Sequence, residues 1–306
     1  MILFFIFISE QMTANCNDIK HIDLEKIIQE GDSKILRKLP RVAVKLVAKI
    51  IKQDEINCIL NKYSEYTGAE FLPKIFEEFN LALEIEGKEN LPENGKGFFV
   101  ANHPFGVIDG LILTLIVSQK YGTLKAIAND SFIFVPQLRP FIAAVNVFGK
   151  SSKEYLNAID AIYKSDEPIT HFPAGIVSRL VKGKARDLPW KKSFITKALS
   201  CKRDVIPFHF HGRNSTLFYA IFLFRKLFGI ETNIELMLLP REMLKKRDKT
   251  IRVTIGKPIS HEMFDNSISH KEWAQKVRSH VYALGTNKSA LWIHIIHYRN
   301  PTGMRF

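Results

Sequence analysis

From about residue 81 onward, short apolar segments alternate with longer segments of helical character, and this alternation constrains the fold most. Residues 81–86, LALEIE, are apolar at every second position, as in a half-buried strand. Residues 98–101, FFVA, are apolar throughout, as in a fully buried strand. Further apolar runs follow at 124–128, 143–148, 168–172, 204–210, 234–239 and 251–255. Strands that alternate with helices predict an α/β fold, a mixed sheet flanked by helices.

The first 80 residues carry helical patterns instead, and the clearest helix follows Pro40. Proline suits the start of a helix because its missing N–H would be unpaired there anyway. The basic residues of this segment form one stripe, at Arg41, Lys45, Lys49 and Lys52. Such an amphipathic helix suits an anionic lipid surface, although a core helix with a solvated lysine face has the same pattern. We expect an N-terminal helical, membrane-associating region at 1–80, an α/β domain at 81–285 and a C-terminal tail at 286–306.

The formal net charge of +13 favours a polyanionic partner. Nucleic acid, an anionic membrane and an acidic protein or substrate all fit the charge alone. Nucleic-acid binding would require a reader motif, or a stripe of arginines interleaved with exposed aromatic residues. The lysines lie instead on the amphipathic helix and around the candidate site described below, so we expect no nucleic-acid partner.

The chain begins with an apolar run, MILFFIFI, which is shorter than the roughly 20 residues that span a bilayer. The run also lacks the basic segment and the small-residue cleavage site of a signal peptide. The run fits either a membrane-dipping end or an upstream start with Met12 as the natural beginning, and we favour the second. No other stretch reaches spanning length without a charge or a Pro/Gly break, so we expect a peripheral membrane protein.

The segment NHPFGVIDG follows the buried strand at 98–101 and supplies a candidate catalytic pair, His103 and Asp109. A histidine can take the proton from an attacking hydroxyl near neutral pH, and a carboxylate can fix its tautomer and stabilise the imidazolium. Without a GxSxG elbow or a nearby cysteine, direct attack by a substrate hydroxyl fits better than a covalent acyl-enzyme. A histidine that only caps a helix, with a solvent-facing aspartate, would give the same short motif.

A second strand-end turn, FPAGIVSR at 172–179, supplies candidate binding residues. Pro173 and Gly175 shape its backbone, and Ser178 and Arg179 follow. Backbone N–H groups in such a turn, together with an arginine fork, suit a phosphate or carboxylate head group. The chain continues with the basic stretch KGKARDLPWKK and the apolar strand of DVIPFHFHGRNS.

Taken in order, these segments resemble the glycerolipid acyltransferase family. That family carries Asn-His followed by an aspartate, then Phe-Pro-Glu-Gly-Thr-Arg-Ser, then an apolar Val-Ile-Pro. The similarity covers roughly residues 81–260 and rests on the order and spacing of three blocks. NHPFGVIDG, FPAGIVSR and KGKARDLPWKKSFITKA look most like the haemolysin-like branch, whose members O-acylate aminolipids such as ornithine or glycine lipids.

The resemblance implies an acyl thioester of acyl carrier protein or coenzyme A as the donor, no further cofactor, and a lyso-lipid hydroxyl as the acceptor. His103 would be the base and Asp109 its partner. Substrate-binding positions would include Asn102, Gly106 and the residues of the 172–179 turn, with Lys150 where the family has an arginine. We expect a peripheral protein on the cytoplasmic face of a membrane.

Three departures from the family pattern bear on the acceptor. Five residues rather than four separate His103 from Asp109, an insertion shared with the branch, so we expect a rearranged turn. Ala174 replaces the family glutamate, and Lys150 lacks the bidentate fork of an arginine. Together these differences favour a lyso-aminolipid over 1-acylglycerol-3-phosphate, which stays the alternative acceptor. A catalytically impaired lipid-binding relative is the third reading, which the retention of both His103 and Asp109 argues against.

Two further histidine pairs were considered as ligands. His209 and His211 share one face of a predicted strand, but no third ligand has suitable spacing, so we expect no metal. His294 and His297 read as neighbours on a helix in a tail of mixed aromatic and basic residues. That tail fits a membrane-interface segment or an ordinary docking helix equally well.

Overall fold

The computed structural model describes residues 19–30, 37–127, 135–143, 153–286 and 293–298. Four helices precede the first strand in this part of the chain: α1 (Leu24–Glu30), α2 (Arg41–Ile50), α3 (Gln53–Lys62) and α4 (Phe71–Glu78). The helix predicted near residues 40–60 is present but divided, because Lys52 adopts a left-handed conformation with φ of 60°. Met12 and the apolar run before it lie outside the described residues.

A mixed sheet forms the centre of the fold. Its strands in the described residues are β1 (Ala82–Glu86), β2 (Gly97–Ala101), β3 (Lys125–Ile127), β4 (Ile169–His171), β7 (Asp204–Phe210), β8 (Thr250–Ile255) and β9 (Ile293–His297). They lie in the order β3-β4-β2-β7-β8-β1-β9. The neighbours β3–β4, β4–β2, β2–β7 and β8–β1 are parallel, whereas β7–β8 and β1–β9 are antiparallel. The predicted α/β architecture with a mixed sheet is confirmed.

Helices cover both faces of this sheet. They are α5 (Val107–Tyr121), α6 (Lys153–Lys164), α7 (Ser193–Ser200), α8 (Thr216–Leu227), α9 (Leu239–Leu244) and α10 (His270–Leu284), and a hairpin, β5 (Arg179–Val181) with β6 (Lys184–Arg186), lies beside them. Because successive strand side chains point to opposite faces, Phe98 and Phe99 of β2 enter different cores. Phe99 packs in the core that holds α5, and Phe98 in the core of α7 and α10. Every residue of β2 is therefore buried. Packing on both faces fixes the position of the strand end, where the candidate site begins.

Two predicted elements differ from the structure. The apolar run 234–239, predicted as a strand, forms a 3₁₀ turn (Ile234–Leu238) that leads into α9, with Pro240 in the first turn of that helix. Short apolar runs do not distinguish a buried helical segment from a strand by periodicity alone. The predicted helix around His294 and His297 is wrong, because these residues form β9 and pair with β1. This pairing uses backbone groups of β1 that a helix would leave unpaired.

Within the part of the chain that the structure describes, no helix combines the length and the apolar composition needed to cross a bilayer. The structure describes residues 135–143 but not residues 144–152. Most of the strand predicted at 143–148, and Lys150, therefore lie outside the described residues.

Candidate active site

The loop between β2 and α5, residues 102–110, carries the predicted catalytic pair and is called the base loop here. His103 follows the end of β2, and Asp109 lies in the first turn of α5. The Nδ1 atom of His103 is 3.1 Å from Oδ1 of Asp109. The two atoms are close, but the N–H direction is not aligned for a linear hydrogen bond. Since Nδ1 faces the carboxylate, Nε2 is the ring nitrogen that can act on a substrate.

The turn within the base loop requires a glycine. Gly106 has a φ of 92°, a conformation that residues with a side chain rarely adopt. A Cβ atom at this position would also lie 2.7 Å from Leu239. The five-residue spacing between His103 and Asp109 is thus accommodated by a positive-φ residue packed against the start of α9.

The carboxylate of Asp109 is fully buried and held by backbone donors. Its Oδ2 accepts hydrogen bonds from the N–H groups of Phe105, at 2.9 Å, and Gly106, at 3.3 Å. Its Oδ1 accepts one from the N–H of Gly110 at 3.1 Å. The N-terminus of α5 adds a favourable dipole for a negative charge. These donors fix the orientation of the carboxylate toward His103.

The ring of His103 stacks on Phe172, with 4.0 Å between the ring centroids and 25° between the planes. Its side chain keeps 16% of its surface exposed, so the ring is held on one side and open on the other. Phe172 begins the second candidate motif, residues 172–179, which is called the Pro173 turn here. The stacking therefore joins the base loop to the Pro173 turn at the histidine itself.

A buried aspartate, Asp187, connects the same two segments through hydrogen bonds. Its Oδ1 accepts from the backbone N–H of His103 at 3.1 Å and from the hydroxyl of Ser178 at 2.5 Å. Its Oδ2 accepts from Nε1 of Trp190 at 2.8 Å, and the N–H of Ser178 donates to the carbonyl of His103 at 2.8 Å. Burial raises the pKa of Asp187, and the bonds from Ser178 and Trp190 oppose that shift. Asp187 was not predicted from the sequence, although an acidic residue inside the basic stretch KGKARDLPWKK is a visible signal.

Asn102, predicted to bind substrate, has both polar side-chain atoms engaged by β7. Its Nδ2 donates to the carbonyl of Phe210 at 2.9 Å, and the N–H of Phe210 donates to Oδ1 at 2.7 Å. The side chain is buried, with 2% of its surface exposed. In this structure the amide joins the end of β2 to the end of β7, and it thereby fixes the position of His103, the next residue.

The backbone of the Pro173 turn is open on one side. Gly175 is exposed with a φ of 70°, and its N–H donates to the carbonyl of Phe172 at 2.9 Å. A Cβ atom on Gly175 would lie 2.9 Å from Nζ of Lys191, so this cation borders the turn. The carbonyl of the buried Pro173 accepts from the N–H of Lys191 at 2.9 Å. The turn thus presents a glycine and a lysine side by side.

The guanidinium of Arg179 is not an open fork in this structure. The residue is 3% exposed, and its Nη2 lies 2.9 Å from Oε1 of Glu235. Its Nη1 donates to the carbonyl of Val177 at 2.7 Å, and Arg225 pairs with the other oxygen of Glu235 at 2.9 Å. Burial lowers the pKa of Arg179. Its charge is therefore compensated within the protein, and Ser178 is likewise occupied by Asp187.

Two further polar residues near the base loop were not predicted. Nζ of Lys246 lies 4.0 Å from the ring centroid of Phe105 and donates to the carbonyl of Arg213 at 3.3 Å. Burial lowers the pKa of Lys246, and the carboxylates of Glu242 and Asp109 oppose the shift. Asn214 belongs to a loop that packs on Phe105 through Gly212, and its buried side-chain amide has no hydrogen-bond partner among the described residues. Neither residue belongs to a recognisable motif.

The pair His209 and His211 does lie together, with 4.7 Å between the ring centroids. Nε2 of His211 is 2.8 Å from the hydroxyl of Thr254, so that ring is engaged in the sheet. Burial, followed by the neighbouring His211, lowers the pKa of His209 to about 3. Across the described segments, no three His, Cys, Asp or Glu side chains form a group that could hold a metal ion.

The chain is similar to known proteins in sequence and in fold. A family model described as acyltransferase matches residues 26–290. The lyso-glycine lipid O-acyltransferase of Phocaeicola vulgatus is 41% identical over 264 residues, which cover 86% of this chain and 95% of that protein. The lyso-glycine lipid O-acyltransferase of Bacteroides thetaiotaomicron is 40% identical over 264 residues, or 86% and 97% of the two chains. The crystal structure of the 1-acyl-sn-glycerophosphate acyltransferase PlsC from Thermotoga maritima has a TM-score of 0.44 and 18% identity, and the match covers 83% of this chain and 86% of that one.

Proposed function

The chain belongs to the acyltransferase family, and we propose that it moves a fatty acyl group from a thioester onto the hydroxyl of a lyso-aminolipid. The observation that carries this proposal is the pair of His103 and Asp109, 3.1 Å apart at the end of a buried parallel strand. Two relatives about 40% identical are lyso-glycine lipid O-acyltransferases, which supports a lyso-lipid of the glycine or ornithine type as the acceptor.

The chemistry of the pair follows from its geometry. Nε2 of His103 removes the proton of the acceptor hydroxyl while that oxygen attacks the thioester carbonyl. The C–S bond then breaks, and the leaving thiolate takes the proton from the imidazolium. Asp109 stabilises the transient positive charge on the ring and keeps Nδ1 protonated. The ester forms, the thiol is released, and the histidine returns to its neutral state without any covalent acyl-enzyme.

The thioester donor is acyl carrier protein or coenzyme A in this proposal, and no metal or other cofactor takes part. Lys150, which stands where the family has an arginine, lies outside the described residues, and its role in binding substrate stays a prediction. Gly106 contributes its backbone to the turn beside the histidine. A net charge of +13 supports a donor of either kind, since acyl carrier protein is acidic and coenzyme A carries phosphates.

The acceptor lies along the Pro173 turn in this proposal. The open backbone at Gly175 and the neighbouring cation of Lys191 suit the carboxylate that a glycine or ornithine lipid keeps free. Ser178 and Arg179 hold the turn in place through their side chains, which are bound to Asp187 and Glu235, and the buried Pro173 supports the same backbone. The ligand contacts the exposed side of the turn. The small, buried Ala174 places no charge where the family has a glutamate, which supports an acceptor other than a glycerol phosphate.

Attachment to the membrane is proposed to be peripheral, on the cytoplasmic face, with α2 as the basic element. Arg41, Lys45 and Lys49 are exposed on this helix, and each basic residue near an anionic surface contributes about 1 kcal/mol that salt screens. Flotation with anionic and neutral vesicles at low and high salt tests this point. Binding that ignores both lipid charge and salt would contradict it.

Lipid profiling by mass tests the proposed reaction. Cells that supply a monoacylated aminolipid, and that express the protein, should accumulate the diacylated aminolipid. Cells expressing His103→Ala at the same level should not. Appearance of phosphatidic acid alone would favour a 1-acylglycerol-3-phosphate acyltransferase instead, and absence of both products with a folded protein would indicate an impaired lipid-binding relative.

A further inference from the structure

Helix α8 exposes a continuous apolar face, although its other face is already packed. Phe218, Tyr219 and Phe222 are buried on its inner side, and the first two join a cluster with Val177 and Leu238. The outer side carries large apolar residues at helical spacing that no part of the described chain covers: Leu217, Leu223, Phe224, Leu227 and Phe228. Leu227 is 80% exposed and Phe224 is 53% exposed. A helix that is apolar on both faces and open on one is typical of an interaction surface.

Helix α2 shows the same arrangement next to it. Its inner residue Val44 is buried in a cluster with α1, whereas Val42 is 80% exposed and Leu46 is 59% exposed. Met237 packs against that cluster. Met237 belongs to the Ile234–Leu238 turn, and the same turn packs on α8. The two open apolar faces therefore lie on helices that are linked through the Ile234–Leu238 turn, which is called the supporting turn here.

The border of these apolar faces is positively charged. Arg41, Lys45 and Lys49 are exposed on α2, and Lys226 is exposed on α8. Leucine and phenylalanine bordered by lysine are the side chains that favour the boundary between acyl chains and anionic head groups. Arg225, by contrast, is turned inward to Glu235 and anchors α8 to the supporting turn. The basic residues lie at the border of the faces, and the most exposed positions are apolar. This arrangement fits an anionic bilayer better than an acidic protein.

The same elements lead directly to the base loop. Leu239, which follows the supporting turn, occupies the space beside Gly106. The loop before α8 packs on Phe105 through Gly212. A bilayer in contact with the outer faces of α2 and α8 would therefore lie beside the segment that carries His103.

We propose that the outer face of α8 inserts into the interfacial region of an anionic bilayer, beside α2, and is a second membrane-binding element of this protein. Its residues contribute binding to the surface and take no part in acyl transfer itself. The consequence for catalysis rests on the proposed function: the lipid acceptor would reach His103 along the bilayer surface without dissolving in water.

The experiment compares full-length Phe224→Ser/Phe228→Ser with a matched control, Leu199→Ser/Met263→Ser. The control residues are also exposed and apolar, but they lie with the α7 side of the sheet. Flotation with vesicles of phosphatidylcholine and phosphatidylglycerol should show at least about a tenfold lower partition coefficient for the α8 variant and an unchanged value for the control. Leu227→Ser alone, at the most exposed position, should weaken binding in the same direction. The thermal midpoints of all three variants should equal that of the wild type.

Two results would overturn the proposal. One is vesicle binding by the folded α8 variants equal to that of the wild type. The other is a wild-type dimer in solution that the α8 variants convert to monomers, because a second copy of the chain would then cover the face. Vesicle binding is measured without acyl transfer. A failure of the proposed function would therefore leave the result of the binding experiment unchanged. Acyl transfer to a short-chain lyso-lipid below its micelle concentration should be unchanged in the α8 variants.

Discussion

The base loop and the Pro173 turn are both strand-end segments rich in polar residues, yet they use their charges in opposite ways. In the base loop, buried backbone donors hold Asp109 so that it faces a histidine with one open side. In the Pro173 turn, the side chains of Arg179 and Ser178 are bound to Glu235 and Asp187, whereas the backbone at Gly175 is exposed beside Lys191. A charged residue in a motif can therefore take part in the reaction or only hold its loop in place. The two cases differ in whether the charge faces a group with an open side, such as His103, or a buried counter-charge, such as Glu235.

The largest effects are expected in the base loop, where Asp109→Asn tests the partner of His103. The substitution keeps the size of the side chain but removes the charge that stabilises the imidazolium, so the rate of acyl transfer should fall at least about 10²-fold. Steady-state rates of Asp109→Asn, His103→Ala and the double variant check this. The double variant should be no slower than His103→Ala, because two residues that act as a unit cannot be lost twice. Rate losses that multiply would show that the two residues act separately.

Asp187→Ala tests the connection between the two segments. It would leave the N–H of His103, the hydroxyl of Ser178 and Nε1 of Trp190 without their buried acceptor. Each unsatisfied buried group costs about 1–3 kcal/mol, so the thermal midpoint should fall by several degrees. We expect kcat to decrease more than KM changes, since His103 loses its position.

Asp187→Asn separates a positioning role from simple loss of stability. The amide keeps one oxygen to accept from His103 and Ser178, and it should recover part of both stability and kcat. Urea unfolding and initial rates provide the two readouts. If kcat followed stability alone across both variants, Asp187 would be structural only.

Arg179→Met tests the other half of the comparison, with a smaller effect. The change removes one partner of the buried Glu235, which keeps Arg225, so we expect a loss below the roughly 3–5 kcal/mol of a fully broken buried pair. The KM for the acceptor should change little, because this guanidinium does not reach the open side of the turn. Lys184→Met, at an exposed basic position of the adjacent hairpin, is the matched control. A large rise in acceptor KM with unchanged stability would assign Arg179 to the head group after all.

The smallest effect, when expressed per pH unit, concerns the stability in acid, and its sign follows from buried histidines. An unfolded histidine takes up a proton near pH 6.5, whereas His209 stays neutral in the folded protein down to about pH 3. Stability should therefore fall as the pH decreases from 6.5 toward 3, by at most about 1.4 kcal/mol per unit from this residue. His209→Gln should flatten the dependence measured by urea unfolding, and the exposed His280→Gln should not. Identical slopes in all three proteins would contradict the assignment.

The contrast also explains what could be predicted from the sequence. Alternating apolar positions located β1, the uniformly apolar run 98–101 located most of β2, and the mainly apolar runs 204–210 and 251–255 located β7 and most of β8. His103 and Asp109 were found because both lie within one short segment at a strand end. Asp187 was missed because its partner His103 is 84 residues away along the chain, and only tertiary packing brings them together.

The burial of Arg179 was equally hidden from the sequence. Its partner Glu235 comes from a segment that was predicted as a strand and is a 3₁₀ turn. Local pattern gives the type of a residue and its place at a strand end, but it does not reveal whether a distant carboxylate neutralises it. Sequence reasoning therefore succeeded for contacts within a loop and failed for those between loops.

The most direct test of the central claim is the rate of acyl transfer by folded His103→Ala on a lyso-aminolipid presented in vesicles. Because His103 removes the hydroxyl proton in this account, the rate should fall about 10²–10⁴-fold while the thermal midpoint and vesicle binding stay those of the wild type. A folded His103→Ala protein that retains near-normal acyl transfer would contradict the account at its central residue.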